Sequence, residues 1–361
     1  MSNKNEIIAQ IVNKLFKNEN NNYIFIYTPP KVGSTTLVSS LRISLGKSYN
    51  IIHIHDEVML EVLTGITNVT INDILNYLSN SGKNVYVIDV YRTPIERKMS
   101  AFFEKIAPYH FNNVEENIKH YSIQRVTNRF NKVFPYLESG DHYFDKYNIA
   151  EPVPFDFIKK YSIQVVNKIK YIKLRLCDTH VWDTILSEIF HSDIVIISDY
   201  KTENKTIGEL YNKFKNEYRL PLNFLEDIKG CKYLNFYYDE EEKQTYFNFW
   251  KRRVCNDVVP FTPDEFKFYM TICLENQYIN DIQGEHYIDN GCFCKYCTNK
   301  RRDIFFRAKR GEKHFDKIIH SDVVHEVKQK TKKKVLDAVN HKIMNTKFKP
   351  KQFKIKIGNN T

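Results

Sequence analysis

The chain has 361 residues, of which 42% are hydrophobic and 27% charged, a composition that indicates a globular protein and excludes a fibrous or low-complexity one. No apolar run is long enough for a signal peptide or a transmembrane span, so we expect neither. Seven cysteines, four of them scattered singly, argue against a disulfide framework and predict a reducing, cytoplasmic setting.

Residues 1–21 are predicted to contain an N-terminal amphipathic helix. Apolar residues recur at helical spacing from Ile7 to Phe16, which gives the helix one apolar face. We expect this face to pack on the core of the protein, with contact to a membrane surface as the alternative.

Residues 23–37 predict a strand, a loop and a helix that together form a phosphate-binding turn. The strand Tyr23–Tyr27 ends at two prolines, which cannot donate to a ladder. Gly33 lets the backbone approach a ligand, and Ser34 is expected to be the N-cap of the following helix. The first amides of a helix lack partners and lie at its positive end, where anions bind. The residues predicted to hold the phosphate are Lys31, Val32, Gly33, Ser34, Thr35 and Thr36.

The order of residues in this loop differs from that of the NTPase P-loop. The P-loop has Gly, four residues, Gly, then Lys and Ser or Thr. Here Lys31 precedes Gly33, and the first glycine is missing. The order Pro-Lys-x-small-Ser-Thr instead resembles the loop with which sulfotransferases bind the 5′-phosphosulfate of 3′-phosphoadenosine 5′-phosphosulfate (PAPS).

A second predicted strand, Ile51–Glu57, carries two histidines and a glutamate. Because side chains alternate along a strand, His53, His55 and Glu57 would share one face. Ligands of parallel α/β sheets collect at the carboxyl ends of the strands, which makes this triplet a candidate for chemistry. For any single histidine, a position in the core or on the surface is the alternative.

A third predicted strand, Asn84–Tyr91, leads to Arg92 and then into a helix. Ser100 follows Arg92 by eight residues, on that helix. An arginine gives bidentate, charge-assisted contacts to a phosphate, and a hydroxyl can add another. In the sulfotransferase superfamily, an Arg that ends a strand and a Ser eight residues later bind the 3′-phosphate of the nucleotide.

The two loops together resemble those of PAPS-dependent carbohydrate sulfotransferases. The pattern Arg-x-Pro-Ile-Glu-Arg-x-x-Ser at 92–100 is similar to heparan and uronyl 2-O-sulfotransferases and to a capsular polysaccharide synthesis family. Glycan 2-O-sulfotransferases also carry a His-x-His pair between the loops. The resemblance implies His55 as general base, with His53 and Glu57 as alternates, and Lys31 as the residue that steadies the leaving phosphate.

The resemblance also implies an α/β fold like that of P-loop NTPases, a central parallel sheet flanked by helices, over residues 22–254. We expect a sulfotransferase that moves a sulfuryl group from PAPS to a hydroxyl of a carbohydrate and requires no metal for catalysis. Two alternatives stay open. One is a catalytically degenerate scaffold that binds polyanions through a basic tail, and the other is an atypical nucleotide kinase.

Apolar periodicity predicts the remaining elements of this domain. Arg175 and Asp178 are candidates for the rim of the site. A loop is expected at 141–147. The predicted helices are 70–82, 113–134, 205–219 and 239–253, and the predicted strands are 171–176 and 193–198.

The C-terminal part of the chain differs in charge from the rest. Residues 291–361 contain 20 Lys and Arg against 6 Asp and Glu, a net charge of +14, so residues 1–290 carry about −3 of the total of +11. We predict a cysteine-containing basic helical extension at 255–345 and a disordered tail at 346–361. Such a charge attracts glycans, nucleic acid or other polyanions, and a tail that only keeps the protein soluble is the alternative.

Three cysteines lie at the head of this basic part: Cys292, Cys294 and Cys297. The last two have the spacing of a zinc knuckle, which His286 or His314 could complete. Since a second Cys-x-x-Cys or a His pair at standard spacing is missing, unligated thiols are the default expectation.

Overall fold

The computed structural model describes most of the residues of the chain. They are 4–16, 19–104, 106–111, 113–133, 140–256, 258–265 and 287–319. Within them the fold is α/β, with a central sheet flanked by helices. None of the helices in these ranges has the length and apolar character needed to cross a membrane.

Seven strands and fourteen α-helices are described, besides a π-helix at Ile106–His110 and two 3₁₀ helices at Leu176–Val181 and Thr202–Asn204. The strands are β1 (Asn22–Tyr27), β2 (Asn50–Ile54), β3 (Asn84–Tyr91), β4 (Tyr161–Val166), β5 (Ile169–Arg175), β6 (Leu220–Pro221) and β7 (Val254–Cys255). The first eight helices are α1 (Lys4–Leu15), α2 (Ser34–Leu45), α3 (Glu57–Thr64), α4 (Ile71–Asn80), α5 (Pro94–Glu104), α6 (Glu115–Ile118), α7 (Ile123–Val133) and α8 (His142–Asp145). The others are α9 (Trp182–Phe190), α10 (Gly208–Glu217), α11 (Leu222–Lys229), α12 (Lys232–Tyr237), α13 (Glu240–Lys251) and α14 (Lys295–Lys309).

The central sheet has the strand order β2-β1-β3-β5-β4 and is mixed. The first four strands are parallel, but β4 runs antiparallel to β5, so the prediction of a parallel sheet is wrong at this edge. Only Asn167 and Lys168 join β4 to β5, both with positive φ (51° and 65°). A two-residue turn of this kind connects antiparallel strands, whereas a parallel pair needs a long crossover.

Helices cover both faces of the sheet. The side chains of β1, which point alternately to the two faces, show which helices lie on each. Phe25 and Tyr27 belong to a core cluster with α1 and α4, while Ile24 and Ile26 belong to a cluster with α2 and α9. Burial on both faces explains the continuous apolar runs of the parallel strands. Helix α1 packs on this core through Ile8, as its apolar face predicts.

The segment 193–198 is not a strand, which corrects the prediction. Its backbone amides donate to serine hydroxyls instead of to a neighbouring strand: Ile194 to Ser187 (3.0 Å), Val195 to Ser44 (3.1 Å) and Ile197 to Ser40 (2.9 Å). The apolar side chains of the segment are nevertheless buried, against α2 and α9 and against the C-terminal segment. Burial alone therefore produced the apolar pattern that resembles a strand.

Two further predictions need correction, and one is confirmed. The helix expected at 113–134 is two helices, α6 and α7, and the loop expected at 141–147 contains the short helix α8. Asp141 caps α8 by accepting from the amide of Phe144. Thr70 caps α4 as predicted, in a capping box with Asp73.

A buried lysine links three elements near the carboxyl ends of β3 and β5. The Lys173 ammonium donates to Asp89 (2.7 Å) and to Asp141, and all three side chains are at most 1% exposed. Thr28, directly after β1, donates its hydroxyl to the other oxygen of Asp89 (2.7 Å), and Tyr237 donates to Asp141 (2.9 Å). Burial raises the pKa of the Asp141 carboxyl although Lys173 lies against it. These charges fix the strand ends relative to each other.

The C-terminal segment 287–319 packs on the α/β core through α14 and α2. Asp289, fully buried, forms a bidentate ion pair with Arg301, and the guanidinium of Arg42 on α2 donates to the Asp289 carbonyl (2.8 Å). The predicted boundary at 254–255 stays a prediction. The predicted disordered tail lies outside the described residues, with the rest of 320–361.

We expect Lys173→Met to destabilise the protein by about 3–5 kcal/mol, because it leaves two buried carboxyl groups without their cation. The matched control is Lys170→Met on the same strand, where the exposed ammonium only reaches the Tyr86 hydroxyl (3.2 Å). This control should change stability by about 0.5 kcal/mol at most. Urea unfolding of both variants measures the difference, and equal stabilities would show that the buried ion network contributes little.

Candidate active site

The residues predicted to bind the donor lie at the carboxyl ends of two adjacent parallel strands. β1 pairs with β3 in register from Asn22 opposite Asn84 to Ile26 opposite Ile88. The loop 28–33 follows β1, and Arg92 follows β3. The two loops therefore emerge side by side at the edge where ligands of such sheets bind.

The first loop turns sharply into α2. Lys31 has φ 68° and Gly33 has φ 90°, so the backbone visits the left-handed region twice. Gly33 is the N-cap, not Ser34 as predicted; Ser34 is the first helical residue and is only 5% exposed. Since glycine has no side chain, no side-chain cap hydrogen bond closes this helix in the described part of the chain. The amides of the first turn can thus serve an anion.

Gly33 is also required by packing. A Cβ at this position would lie 2.6 Å from Cδ1 of Leu176 and 3.6 Å from the Trp182 ring. Leu176 and Trp182 therefore form an apolar wall that packs directly against the backbone of the turn.

The Lys31 side chain is paired with a carboxylate that the sequence did not indicate. Its ammonium lies 2.7 Å from Glu104, at the end of α5, and 5.5 Å from the centre of the Tyr200 ring. Lys205 donates to the Tyr200 hydroxyl (2.8 Å) and lies 3.5 Å from the Glu104 carbonyl. Lys205 and Glu104 thus lie beside the loop that carries Lys31. Their positions in the sequence did not predict this contact.

The two loops touch directly. The Arg92 guanidinium donates to the carbonyl of Lys31 (2.9 Å), and Arg97 donates to the carbonyl of Pro30 (3.2 Å). Ser100 lies on α5 and is 7% exposed. Within the described ranges, no hydrogen bond joins Ser100 to Arg92 or to the loop 31–36. The structure therefore brings Arg92 to the first loop, while the role of Ser100 stays a prediction.

The predicted triplet His53, His55 and Glu57 does not share a strand face. β2 ends at Ile54, and Asp56 caps α3 by accepting from the Met59 amide, so Glu57 is the first residue of a helix. Glu57 accepts from the hydroxyl of Tyr27 (3.2 Å). The two histidine rings do lie together, with centroids 4.3 Å apart. A capping aspartate, which ends the strand early, is the reason for the difference.

His55 is held in one tautomer. Its Nδ1 lies 2.7 Å from the carbonyl of Thr28, and because a carbonyl only accepts, Nδ1 carries the proton and Nε2 the lone pair. Burial lowers the pKa of His55 to about 4, so the ring is neutral at pH 7. His142, whose pKa burial also lowers to about 4, donates from Nε2 to the His55 carbonyl (2.6 Å).

His53 is buried more deeply than His55 and has a different partner. It is 5% exposed, and its Nδ1 forms a hydrogen bond with the hydroxyl of Tyr287, which comes from the C-terminal segment. The ring of His53 therefore joins the sheet to that segment, and His55 is the better placed candidate for a base.

Arg175 and Asp178 are not rim residues. Both are buried, and the Arg175 guanidinium donates to Asp178 (2.6 Å), to Glu242 (2.6 Å) and to the carbonyl of Tyr237 (2.9 Å). An arginine with all these partners braces α13 against β5 and is not available to a ligand.

Comparisons with known proteins gave no match: no family model, curated protein or solved structure is detectably similar to the chain. The resemblance to sulfotransferases therefore rests on the two loop sequences. The function of the site is therefore inferred from its geometry.

We expect Gly33→Ala to destabilise the protein more than Gly65→Ala. Both glycines have positive φ (90° and 68°), so both substitutions carry a backbone cost of about 1–3 kcal/mol. Only Gly33 has a neighbour within 3 Å of the new methyl, which adds about 1–3 kcal/mol for overpacking. Thermal unfolding of the two variants measures the difference, and equal losses would contradict close packing behind the loop.

Proposed function

We propose that this protein is a sulfotransferase that moves a sulfuryl group from PAPS to a hydroxyl group, and that the acceptor is a carbohydrate. The observation that carries the proposal is the contact between the two loops, the 2.9 Å hydrogen bond from Arg92 to the Lys31 carbonyl. A lysine-bearing turn at the start of a long helix and an arginine thereby converge at one edge of the sheet. This combination suits a ligand with two separate phosphate groups.

The donor would bind across both loops. Lys31 and the amides of residues 33–36 would hold the 5′-phosphosulfate, while Arg92 and Ser100 would hold the 3′-phosphate. Because Lys31 is paired with Glu104 in the protein without ligand, the phosphosulfate has to replace that carboxylate as the partner of the ammonium. Lys205, which donates to the backbone carbonyl of Glu104 (3.5 Å), would keep the end of α5 beside the loop during the exchange.

Transfer requires a base for the acceptor hydroxyl, and His55 supplies a neutral one. As the acceptor oxygen bonds to sulfur, Nε2 of His55 would take its proton, and the bond from sulfur to the bridging phosphate oxygen breaks. The product 3′-phosphoadenosine 5′-phosphate leaves with the bonding electrons, and Lys31 with the helix amides stabilises its growing charge. The Thr28 carbonyl supports this role by fixing the tautomer of His55 and by stabilising the ring once it is protonated.

The acceptor class is inferred from a different observation than the donor site. It rests on the similarity of residues 92–100 to heparan and uronyl 2-O-sulfotransferases and to the capsular polysaccharide family. A carbohydrate hydroxyl is therefore proposed, and the donor site can be tested without knowing which one.

We expect 3′-phosphoadenosine 5′-phosphate to bind the wild type. Arg92→Ala should weaken this binding by at least about tenfold, because the loss of a charge-assisted contact costs about 1.4 kcal/mol or more. Titration calorimetry measures both. The matched control is Arg97→Ala, which also loses a contact to the backbone of the first loop but has no predicted contact with the phosphate. A similar loss in both variants would indicate that Arg92 only braces the loop.

Absence of binding to a folded wild type would remove the proposed donor site. ATP with Mg²⁺ is the comparison ligand, since preference for it would favour the nucleotide kinase. Polyanion binding that survives Arg92→Ala would favour the degenerate scaffold.

We expect His55→Ala to retain affinity for 3′-phosphoadenosine 5′-phosphate but to lose turnover by about 10²-fold or more. In the wild type, the neutral ring is the active form, so kcat/KM should fall only as the pH drops through about 4, the lowered pKa of His55. The pH profile of kcat/KM with a carbohydrate acceptor measures this limb. Full turnover of the His55→Ala variant would exclude His55 as the base.

The matched control for this histidine is His120→Ala. His120 is exposed on the surface between α6 and α7, outside the proposed site, and its loss should leave both turnover and the acid limb unchanged. An acid limb near pH 6.5 in the wild type would point to a group with an ordinary histidine pKa.

A further inference from the structure

Three thiols meet outside the proposed active site. The Sγ atoms of Cys292, Cys294 and Cys297 all lie within 4.8 Å of one another, and none of the three cysteines forms a disulfide. In the described part of the chain, they form the one group of three or more potential metal ligands that comes together in this way. Their spacing, Cys-x-Cys-x-x-Cys, is short enough for one turn of chain to supply all three ligands.

The start of α14 creates this arrangement. Cys294 is its N-cap, and its sulfur accepts from the amide of Cys297 (3.4 Å), which lies in the first turn. The side chains of an N-cap and a residue in the first turn therefore point to the same place.

The chain before the cysteines is rigidly built. Gly291 has φ 76°, and its amide donates to Asp289 (2.7 Å), while Asp289 is held by the ion pair with Arg301. The Arg301 guanidinium also lies over the Phe293 ring at 5.3 Å. The position of the segment 289–293 relative to α14 is thus fixed by contacts that do not involve sulfur.

One side of the thiol cluster is buried in the protein. Cys297 is 1% exposed, whereas Cys292 and Cys294 are half-buried. Cys297 belongs to an apolar cluster that joins the C-terminal segment to the core, which also contains Ile43, Val195, Ile197, Ile288, Ile304 and Ile318. This apolar cluster shields one side of the three thiols from water. The other side stays accessible to an ion.

We propose that Cys292, Cys294 and Cys297 bind one zinc ion as three thiolates. Zinc prefers sulfur ligands in a tetrahedron with Zn–S distances of about 2.3 Å, which places the sulfurs about 3.8 Å apart. The observed limit of 4.8 Å approaches this spacing, so small side-chain rotations complete the geometry. The thiols lose their protons to solvent as the metal binds.

The fourth ligand comes from outside this group of three. His314 lies in the described part of the chain and is not among the clustered ligands, while His286 lies outside the described residues. A water molecule would complete the tetrahedron.

The role we assign to the ion is structural. It would fasten residues 289–294 to the first turn of α14, next to the contacts through which Tyr287 and Ile288 reach the core. These contacts are the hydrogen bond from the Ile288 amide to Asp199 (2.7 Å) and the one between Tyr287 and His53. The proposal is independent of the sulfotransferase assignment, because none of the three cysteines belongs to the proposed donor site.

The test uses the full chain, purified under reducing conditions with zinc supplied and then dialysed. Metal analysis by mass spectrometry should find one zinc per chain. Cys292→Ser and Cys294→Ser should each weaken zinc binding by at least about 100-fold, since even outer partners of a metal ligand contribute about 10–100-fold. The matched control is Cys177→Ser, an exposed cysteine outside the cluster, which should retain one zinc.

A second measurement identifies the ligands. Replacement of zinc by Co²⁺ should give intense sulfur-to-cobalt charge-transfer absorption in wild type and in Cys177→Ser, and a weaker band in the two other variants. Circular dichroism checks that each variant is folded, and Cys292 and Cys294 are chosen because neither is in the fully buried part of the cluster. A folded, reduced wild type that binds no zinc, or equal zinc content in all variants, would overturn the proposal.

Discussion

The ion network around Lys173 is the constraint on which the central part of the structure depends. A buried ammonium between two buried carboxyl groups is tolerated only if all partners are in place, because an unpaired charge in the interior is costly. Asp89 comes from β3, Lys173 from β5 and Asp141 from the segment before α8. Thr28 adds the end of β1 through its hydroxyl. The network therefore sets the relative positions of the strand ends from which both loops of the proposed donor site start.

Thr28 connects this network to the proposed chemistry. Its hydroxyl belongs to the network, and its carbonyl accepts from Nδ1 of His55, so one residue positions both the start of the first loop and the candidate base. His142, directly after Asp141, donates to the His55 backbone. Burial of charged groups thus orients the candidate site. The neutral state of His55 follows from the same burial.

The C-terminal segment makes a second set of contacts with the core. Tyr287 reaches His53, the Ile288 amide reaches Asp199, and Asp199 also accepts from Ser39 of α2 (2.6 Å). Helix α2 is therefore held on two sides, at its start by Gly33 and the apolar wall and along its length by the segment. If zinc binds to the three cysteines, it reinforces the contact between α2 and the C-terminal segment.

The sequence by itself determined the local elements: the strand, loop and helix around Lys31, the helix after Thr70 and the strand before Arg92. Periodicity, capping residues and prolines act within a few residues, so they can be read from the chain. Only the tertiary structure decided what depends on distant partners. It paired Lys31 with Glu104, neutralised His55 by burial, buried Arg175 with Asp178 and satisfied the amides of residues 193–198 with serine hydroxyls. Asp89 and Lys173, polar residues inside apolar strands, signal a buried network, but only the fold shows how they meet.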